Sequence, residues 1–173
     1  IVYNVAIGSN SMTDCTGGSY NTAVGYHSMN SITTGSNNVA LGYAALDANT
    51  TASNNVAIGY NSLGLNTTGT QNVALGTSSL DANTTGSHNT ALGTDTLTTL
   101  GSGSYNTAVG KGALAHQEGA TNHNTALGYN AGNALTTADE SVLIGSIAGD
   151  AITTGSQNTA IGYVALSACQ TGT

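Results

Sequence analysis

The sequence predicts an all-β fold, a single parallel β-solenoid of ten coils that spans residues 1–173. Three features of the chain support this prediction. First, a phrase of 17 residues recurs ten times, with one interval of 18 residues between Asn106 and Asn124. Second, every copy has glycine at its fifth position. Third, the residues before that glycine alternate with period two, which is typical of a short strand. Because one such copy cannot bury its own apolar side chains, a fixed period indicates coils that stack.

The copies are numbered here from their first residue, which is asparagine in nine copies and Ser141 in the other. Stacked strands lie about 4.8 Å apart, so these side-chain amides are expected to form a ladder along the axis. The ladder residues are Asn4, Asn21, Asn38, Asn55, Asn72, Asn89, Asn106, Asn124 and Asn158.

The fifth-position glycine is expected to end each strand, since it permits a tight corner with positive φ. The corner glycines are Gly8, Gly25, Gly42, Gly59, Gly76, Gly93, Gly110, Gly128, Gly145 and Gly162.

The alternation also suggests which side chains form the core. Position 2 is Val or Thr and position 4 is Ile, Leu or Val, and both are predicted to point into the coil. Asn at position 1, Ala at position 3 and Gly at position 5 would then make a smooth outer face. A second short strand is predicted at positions 6 to 9, with Leu or Met at position 9 entering the core. The Thr-Thr-Gly stretch at positions 13 to 15 is predicted to make the return turn.

The composition excludes several classes of partner. Charged residues are 5% of the chain, against roughly 25% in a typical soluble domain. The net charge is −7 and Lys111 is the only basic residue, so we expect no binding to nucleic acid or anionic lipid. No apolar run is long enough to insert into a membrane.

Two cysteines occupy position 12, Cys15 in the first copy and Cys169 in the tenth. Nine coil spacings, roughly 43 Å, would separate them within one chain, which is too far for a disulfide. Head-to-tail stacking of chains would bring Cys169 of one close to Cys15 of the next, a candidate intersubunit disulfide. No polar cap is seen at either end, which favours such stacking or a fragment of a longer rod. The alternative is two small buried side chains, because Ile32 shares this position.

No catalytic, cofactor or metal site is expected. The histidines have no ligand spacing with cysteine or carboxylate; they are His27, His88, His116 and His123. Three aspartates share position 10 but lie two or more coils apart, too far for a general acid–base pair; they are Asp47, Asp81 and Asp150. We therefore expect that the protein is not an enzyme.

The 18-residue copy is the one irregularity, and its extra residue is predicted to bulge a turn outward. A partner contact is a candidate role for the polar side chains around it, Lys111, His116, Glu118 and His123.

Three consecutive copies carry Asn-Thr-Thr, beginning at Asn49, Asn66 and Asn83. These are candidate N-glycosylation acceptors. The alternative is turn chemistry, because Asn and Thr are good turn residues.

The phrase Asn-Thr-Ala-Ile-Gly-Tyr-Val-Ala-Leu at residues 158–166 resembles the head repeat of trimeric autotransporter adhesins. It resembles more closely the repeats of phage tail-fibre-like and related bacterial surface proteins. The resemblance implies a left-handed parallel β-roll, often a homotrimer, that serves as a stalk or adhesive head.

The leading hypothesis for function is therefore an extracellular structural fibre subunit whose partner is itself. The alternative is an adhesin head or phage tail-fibre rod that binds a surface glycan or receptor. An ice-binding protein is a third hypothesis, weakened because the adjacent threonines at positions 13 and 14 do not share a face.

Overall fold

The computed structural model describes residues 3–171, and these form a parallel β-solenoid, as predicted. Ten strands of three residues each make one sheet, in which every strand pairs with its neighbours in chain order. The strands are β1 Val5–Ile7, β2 Thr22–Val24, β3 Val39–Leu41, β4 Val56–Ile58, β5 Val73–Leu75, β6 Thr90–Leu92, β7 Thr107–Val109, β8 Thr125–Leu127, β9 Val142–Ile144 and β10 Thr159–Ile161. No helix that could cross a membrane occurs between residues 3 and 171.

The register of the sheet follows the sequence repeat, because each residue pairs with the same position of the next coil. Val39 pairs with Val56, for example, and Ala40 with Ala57. The 18-residue copy keeps this register, with Thr107 paired with Thr125. Its extra residue is absorbed in an exposed turn at residues 118–120, which confirms the predicted bulge.

The corner glycines behave as predicted, with φ between 122° and 142° in all ten coils. The close approach of successive coils also requires glycine at these corners. A Cβ placed on Gly59 would lie 2.5 Å from the carbonyl oxygen of Gly76 and 2.7 Å from its carbonyl carbon. The glycines therefore stack in single file because no side chain fits between successive corners.

The prediction of which strand face forms the core is wrong. The central residue of each strand from β2 to β10 is buried, whereas the residues at positions 2 and 4 are half-buried or exposed. Ala40 and Ala74 are fully buried, while Leu75 and Leu127 are each 47% exposed. The coil is thin, and its opposite wall leaves room for only a methyl group beneath the sheet. The bulky side chains therefore face outward.

The asparagine ladder exists, but it lies inside the coil rather than on its surface. The first-position side chains from Asn21 to Asn124 are fully buried. Each Oδ1 accepts a hydrogen bond from the backbone N–H of the next first-position residue at 2.8–3.0 Å. Each Nδ2 from Asn4 to Asn124 donates to a carbonyl across its own coil at 2.8–2.9 Å. One side chain therefore both closes its coil and joins it to the next.

In the return turn, side-chain hydroxyls add hydrogen bonds between coils to those of the backbone. The hydroxyl of Thr33 at position 13 donates to the carbonyl oxygen of Thr50 at 2.9 Å. At position 16, the backbone N–H of Ser36 donates to the hydroxyl of Ser53 at 2.9 Å. These contacts recur along the rod and confirm that this stretch makes the predicted turn.

Positions 6 to 9 form a turn, and the second strand predicted there is absent from the described residues. Positions 7 and 9 adopt left-handed backbone angles, as in Ala44 at φ 51° and Leu46 at φ 52°. The turn is still joined to both neighbouring coils, since Leu46 N–H donates to Ser62 and Ala44 N–H donates to Tyr26. Seven position 9 side chains enter the core as predicted, whereas Leu166 of the last coil is 42% exposed; the buried ones are Met12, Met29, Leu46, Leu63, Leu80, Leu97 and Leu114.

Coils eight and nine arrange large and small core residues differently from the other coils. Leu143 occupies the position 3 that is alanine in the other nine coils, and position 9 is glycine in both coils. A Cβ on Gly132 would lie 2.6 Å from Leu143 Cδ1, and one on Gly149 would lie 2.7 Å from Leu143 Cδ2. The leucine therefore fills the space that the two missing position 9 side chains leave.

We expect Leu143→Ala to lower the free energy of unfolding by about 2–5 kcal/mol, because nothing else fills that space. Urea denaturation followed by circular dichroism measures the loss. Adding Gly132→Leu and Gly149→Leu restores the pattern of the other coils and should recover most of the stability. A triple variant no more stable than Leu143→Ala would contradict this account of the core.

Candidate interaction surface

The outward side chains at positions 2 and 4 form an apolar stripe that runs along the sheet through all ten coils. Ile7 is 58% exposed and Ile161 is 66% exposed. None of the stripe residues is charged. The stripe consists of Val5, Ile7, Thr22, Val24, Val39, Leu41, Val56, Ile58, Val73, Leu75, Thr90, Leu92, Thr107, Val109, Thr125, Leu127, Val142, Ile144, Thr159 and Ile161.

Stacked tyrosines at position 6 line one edge of the apolar stripe. The ring centroids of Tyr26 and Tyr43 are 5.4 Å apart, and those of Tyr43 and Tyr60 are 5.2 Å apart. The three rings are exposed, so they extend the apolar surface beyond the strands. Their spacing follows from the coil repeat, which brings like side chains together one above another.

Position 17, immediately before each first-position residue, lines the other edge. All ten residues there have φ between 56° and 63°, a region that favours glycine, yet none is glycine. Tyr3 stacks on Tyr20, and Tyr105 stacks between His88 and His123 with centroids 4.8 Å and 5.1 Å away. This second aromatic edge was not predicted, although Tyr3, Tyr20, His88, Tyr105 and His123 share one repeat position and the coil repeat therefore stacks them.

The turn face, at positions 7 and 10, carries polar contacts between side chains of neighbouring coils. His27 Nδ1 lies 3.8 Å from Asp47 Oδ1, and Asn61 Nδ2 donates to Asp81 Oδ1 at 2.6 Å. Burial raises the pKa of both carboxyls, and the contacts with His27 and Asn61 oppose that rise. These pairs cover the backbone of their coils.

A notch of about 330 Å³ interrupts the turn face at coils six to eight. Of the polar residues expected around the irregular copy, Lys111 and His116 line this notch, whereas Glu118 and His123 do not. The remaining lining residues are Asp95, Thr98, Thr99, Gly112, Ala115, Asn130 and Asn133.

The candidate glycosylation acceptors are fully buried. Asn49, Asn66 and Asn83 each donate from Nδ2 to the carbonyl three residues further on, at 3.0–3.2 Å. Asn83 also donates to Asn66 Oδ1 at 2.9 Å. A glycan on any of these nitrogens has no room in the folded coil, so the structure assigns them to turn chemistry.

The two cysteines are half-buried free thiols in the same position 12 column, and Cys15 packs against the core. Ile32, Leu135 and Ile152 fill that column in other coils and are fully buried. The intersubunit disulfide between Cys15 and Cys169 stays a prediction.

Within residues 3–171, no group of three or more His, Cys, Asp or Glu side chains is placed to hold a metal ion. No protein-family model, curated protein or solved structure matches the chain.

Proposed function

We propose that the protein is a subunit of an extracellular structural fibre, a β-solenoid rod that assembles laterally with copies of itself through the apolar stripe. The main support for this proposal is the exposure of Val, Ile and Leu at positions 2 and 4 of one continuous sheet. Burial of apolar surface is the main favourable term in association, and monomers rarely expose long contiguous apolar patches.

The dimensions of the stripe suit self-association. Ten strands at about 4.8 Å give a stripe roughly 43 Å long. With its aromatic edges it approaches the size of one side of a standard interface, about 800 Å². Two copies have the same repeat along their length, and no stripe residue is charged, so like charges do not oppose one another when copies meet. The resemblance to trimeric adhesins favours three chains.

The stiffness that a fibre needs comes from the interior. The asparagine ladder joins coil to coil with buried hydrogen bonds, and hydrogen bonds inside a protein are electrostatically stronger than those in water. Its columns of identical neutral side chains avoid the repulsion that stacked charges would create.

Replacing Leu41 and Leu75 together with glutamate is expected to dissociate the assembly, because each charge would be buried against an apolar partner. Sedimentation equilibrium should give a multiple of 17.0 kDa for the parent and 17.0 kDa for the variant. Thr51→Glu with Thr85→Glu is the matched control, since it adds the same charge to the same coils at exposed turn positions. A parent that remains monomeric at high concentration would remove the lateral proposal.

The alternative function, an adhesin head or tail-fibre rod that binds a receptor, is favoured by the exposed tyrosine stack from Tyr26 to Tyr60. Electron microscopy separates the two, because a fibre subunit forms long filaments alone. An adhesin would remain a short rod and bind immobilised glycans. Thermal hysteresis measurements test the ice-binding hypothesis.

A further inference from the structure

The notch exists because coil seven lacks the side chains that cover the turn face elsewhere. In coil four, Asn61 lies over Gly64 and reaches Asp81 of the next coil. Coil seven has Gly112 at position 7 and Ala115 at position 10, both buried. Neither side chain can span the gap, so the backbone of this coil forms the floor of an open notch.

The walls of the notch are held in place by hydrogen bonds to that floor. Asn133 Nδ2 donates to the carbonyl oxygen of Gly112 at 3.0 Å, and His116 Nδ1 lies 2.8 Å from the carbonyl oxygen of Asn133. On the other side, the Thr99 hydroxyl lies 3.1 Å from the carbonyl oxygen of Ala115. The shape is therefore built before any ligand arrives, which lowers the entropic cost of binding.

Several polar groups of the notch have no partner within the described chain. The Thr98 hydroxyl oxygen is buried and has no hydrogen bond. The carboxylate of Asp95 and the ammonium group of Lys111 make no ion pair among residues 3–171. Asp95 and Lys111 are exposed, so their charged groups are available to a ligand.

The side chains that line the notch indicate which class of ligand it can bind. One cation beside a carboxylate is a poor site for phosphate or another polyanion, and the lining contains no Leu, Ile, Val, Phe, Tyr or Trp, which disfavours an apolar ligand. The lining instead offers carboxylate, amide, hydroxyl, imidazole and ammonium groups, interspersed with the methyl groups of Ala115 and the threonines. This mixture matches a ring that presents several hydroxyls and short C–H surfaces, and the volume holds one such ring.

We propose that the notch binds one sugar ring of a glycan through hydrogen bonds. The Asp95 carboxylate accepts from ring hydroxyls on one wall, and the Asn130 side-chain amide donates to or accepts from them on the other. Lys111 at the end of the notch contacts a ring oxygen or a sugar carboxylate. The notch lies on the turn face, so the proposal does not depend on lateral assembly.

Saturation-transfer NMR with free galactose, glucose, mannose, N-acetylglucosamine, glucuronic acid and N-acetylneuraminic acid tests this proposal. We expect at least one of these sugars to bind with Kd on the order of 1 mM. Ala115→Asn refills the notch with the residue that coil eight carries at the same position, and it should weaken binding about tenfold or more. Asp95→Asn should weaken it severalfold.

Asp47→Asn, on the same face but outside the notch, is the control and should bind as the parent does. Circular dichroism confirms that each variant keeps the solenoid. The proposal is overturned if no sugar of the panel binds, or if Ala115→Asn binds as tightly as the parent.

Discussion

Gly59→Ala is expected to destabilise the rod strongly, as alanine would at the other corner glycines that face a following coil. The new Cβ would lie 2.5 Å from the Gly76 carbonyl oxygen, a distance that real Cβ atoms do not adopt, and the φ of 137° is one that alanine strongly disfavours. The obstacle is backbone, so relief requires the two coils to separate and weakens the hydrogen bonds between them. We expect a loss of at least about 3 kcal/mol, measured by urea denaturation.

Two glycines serve as matched controls for this substitution. Gly101 has open space and no positive φ, so Gly101→Ala should be neutral or slightly stabilising. Gly119 has open space but a φ of 67°, so Gly119→Ala should cost about 1 kcal/mol of backbone strain. Equal losses at Gly59 and Gly119 would show that stacking of the corners is not the constraint.

The sequence alone was sufficient to predict the solenoid and its register. When the period is 17 residues and successive coils are hydrogen-bonded, Gly42 must lie over Gly59. A glycine at this position in every copy predicts a corner without side chains. The extra residue of the seventh copy could also be placed in a turn, because a bulge in the strand would have shifted every pairing after Thr107. These features depend on the number of residues between successive copies, which can be counted in the sequence.

The orientation of the strands could not be predicted in the same way. Period two separates side chains into two sets but does not say which set faces inward, and hydrophobicity alone favours the wrong set. Two clues pointed to the correct answer. Alanine in nine copies indicates a space too small for anything larger, and free exchange of Val39 with Thr22 indicates a surface that accepts a hydroxyl.

The glycosylation motifs and the second aromatic edge show a related limit. Asn-Thr-Thr is the same triplet whether its amide faces water or, as at Asn66, the core. The stacking of His88 on Tyr105 follows from the repeat, but no local sequence pattern marks the left-handed backbone angles at these two residues. Both features are decided by where the backbone aims a side chain, which follows from the packing of the whole coil.

Asn72→Ala is the second substitution with a large expected effect, because it leaves a buried backbone N–H unpaired and removes one of the two donors to a buried carbonyl. The Asn89 N–H loses its acceptor, now at 2.9 Å, and the Gly86 carbonyl loses the Asn72 donor at 2.8 Å but keeps Asn83 Nδ2 at 3.0 Å. The unpaired N–H costs about 1–3 kcal/mol and the lost hydrogen bond about 0.5–1.5 kcal/mol, so we expect a loss of roughly 1.5–4.5 kcal/mol in the free energy of unfolding. Asn72→Leu should be at least as harmful, although leucine is more apolar.

Coil nine provides the control for the ladder. Ser141 stands at the first position there, and its hydroxyl lies 3.3 Å from the Asn158 N–H, so it keeps an acceptor for the next coil. Asn72→Ser should therefore lose less stability than Asn72→Ala. Hydrogen exchange at the Asn89 amide reports the broken contact locally. If that amide stays as protected in Asn72→Ala as in the parent, the ladder does not hold the coils together.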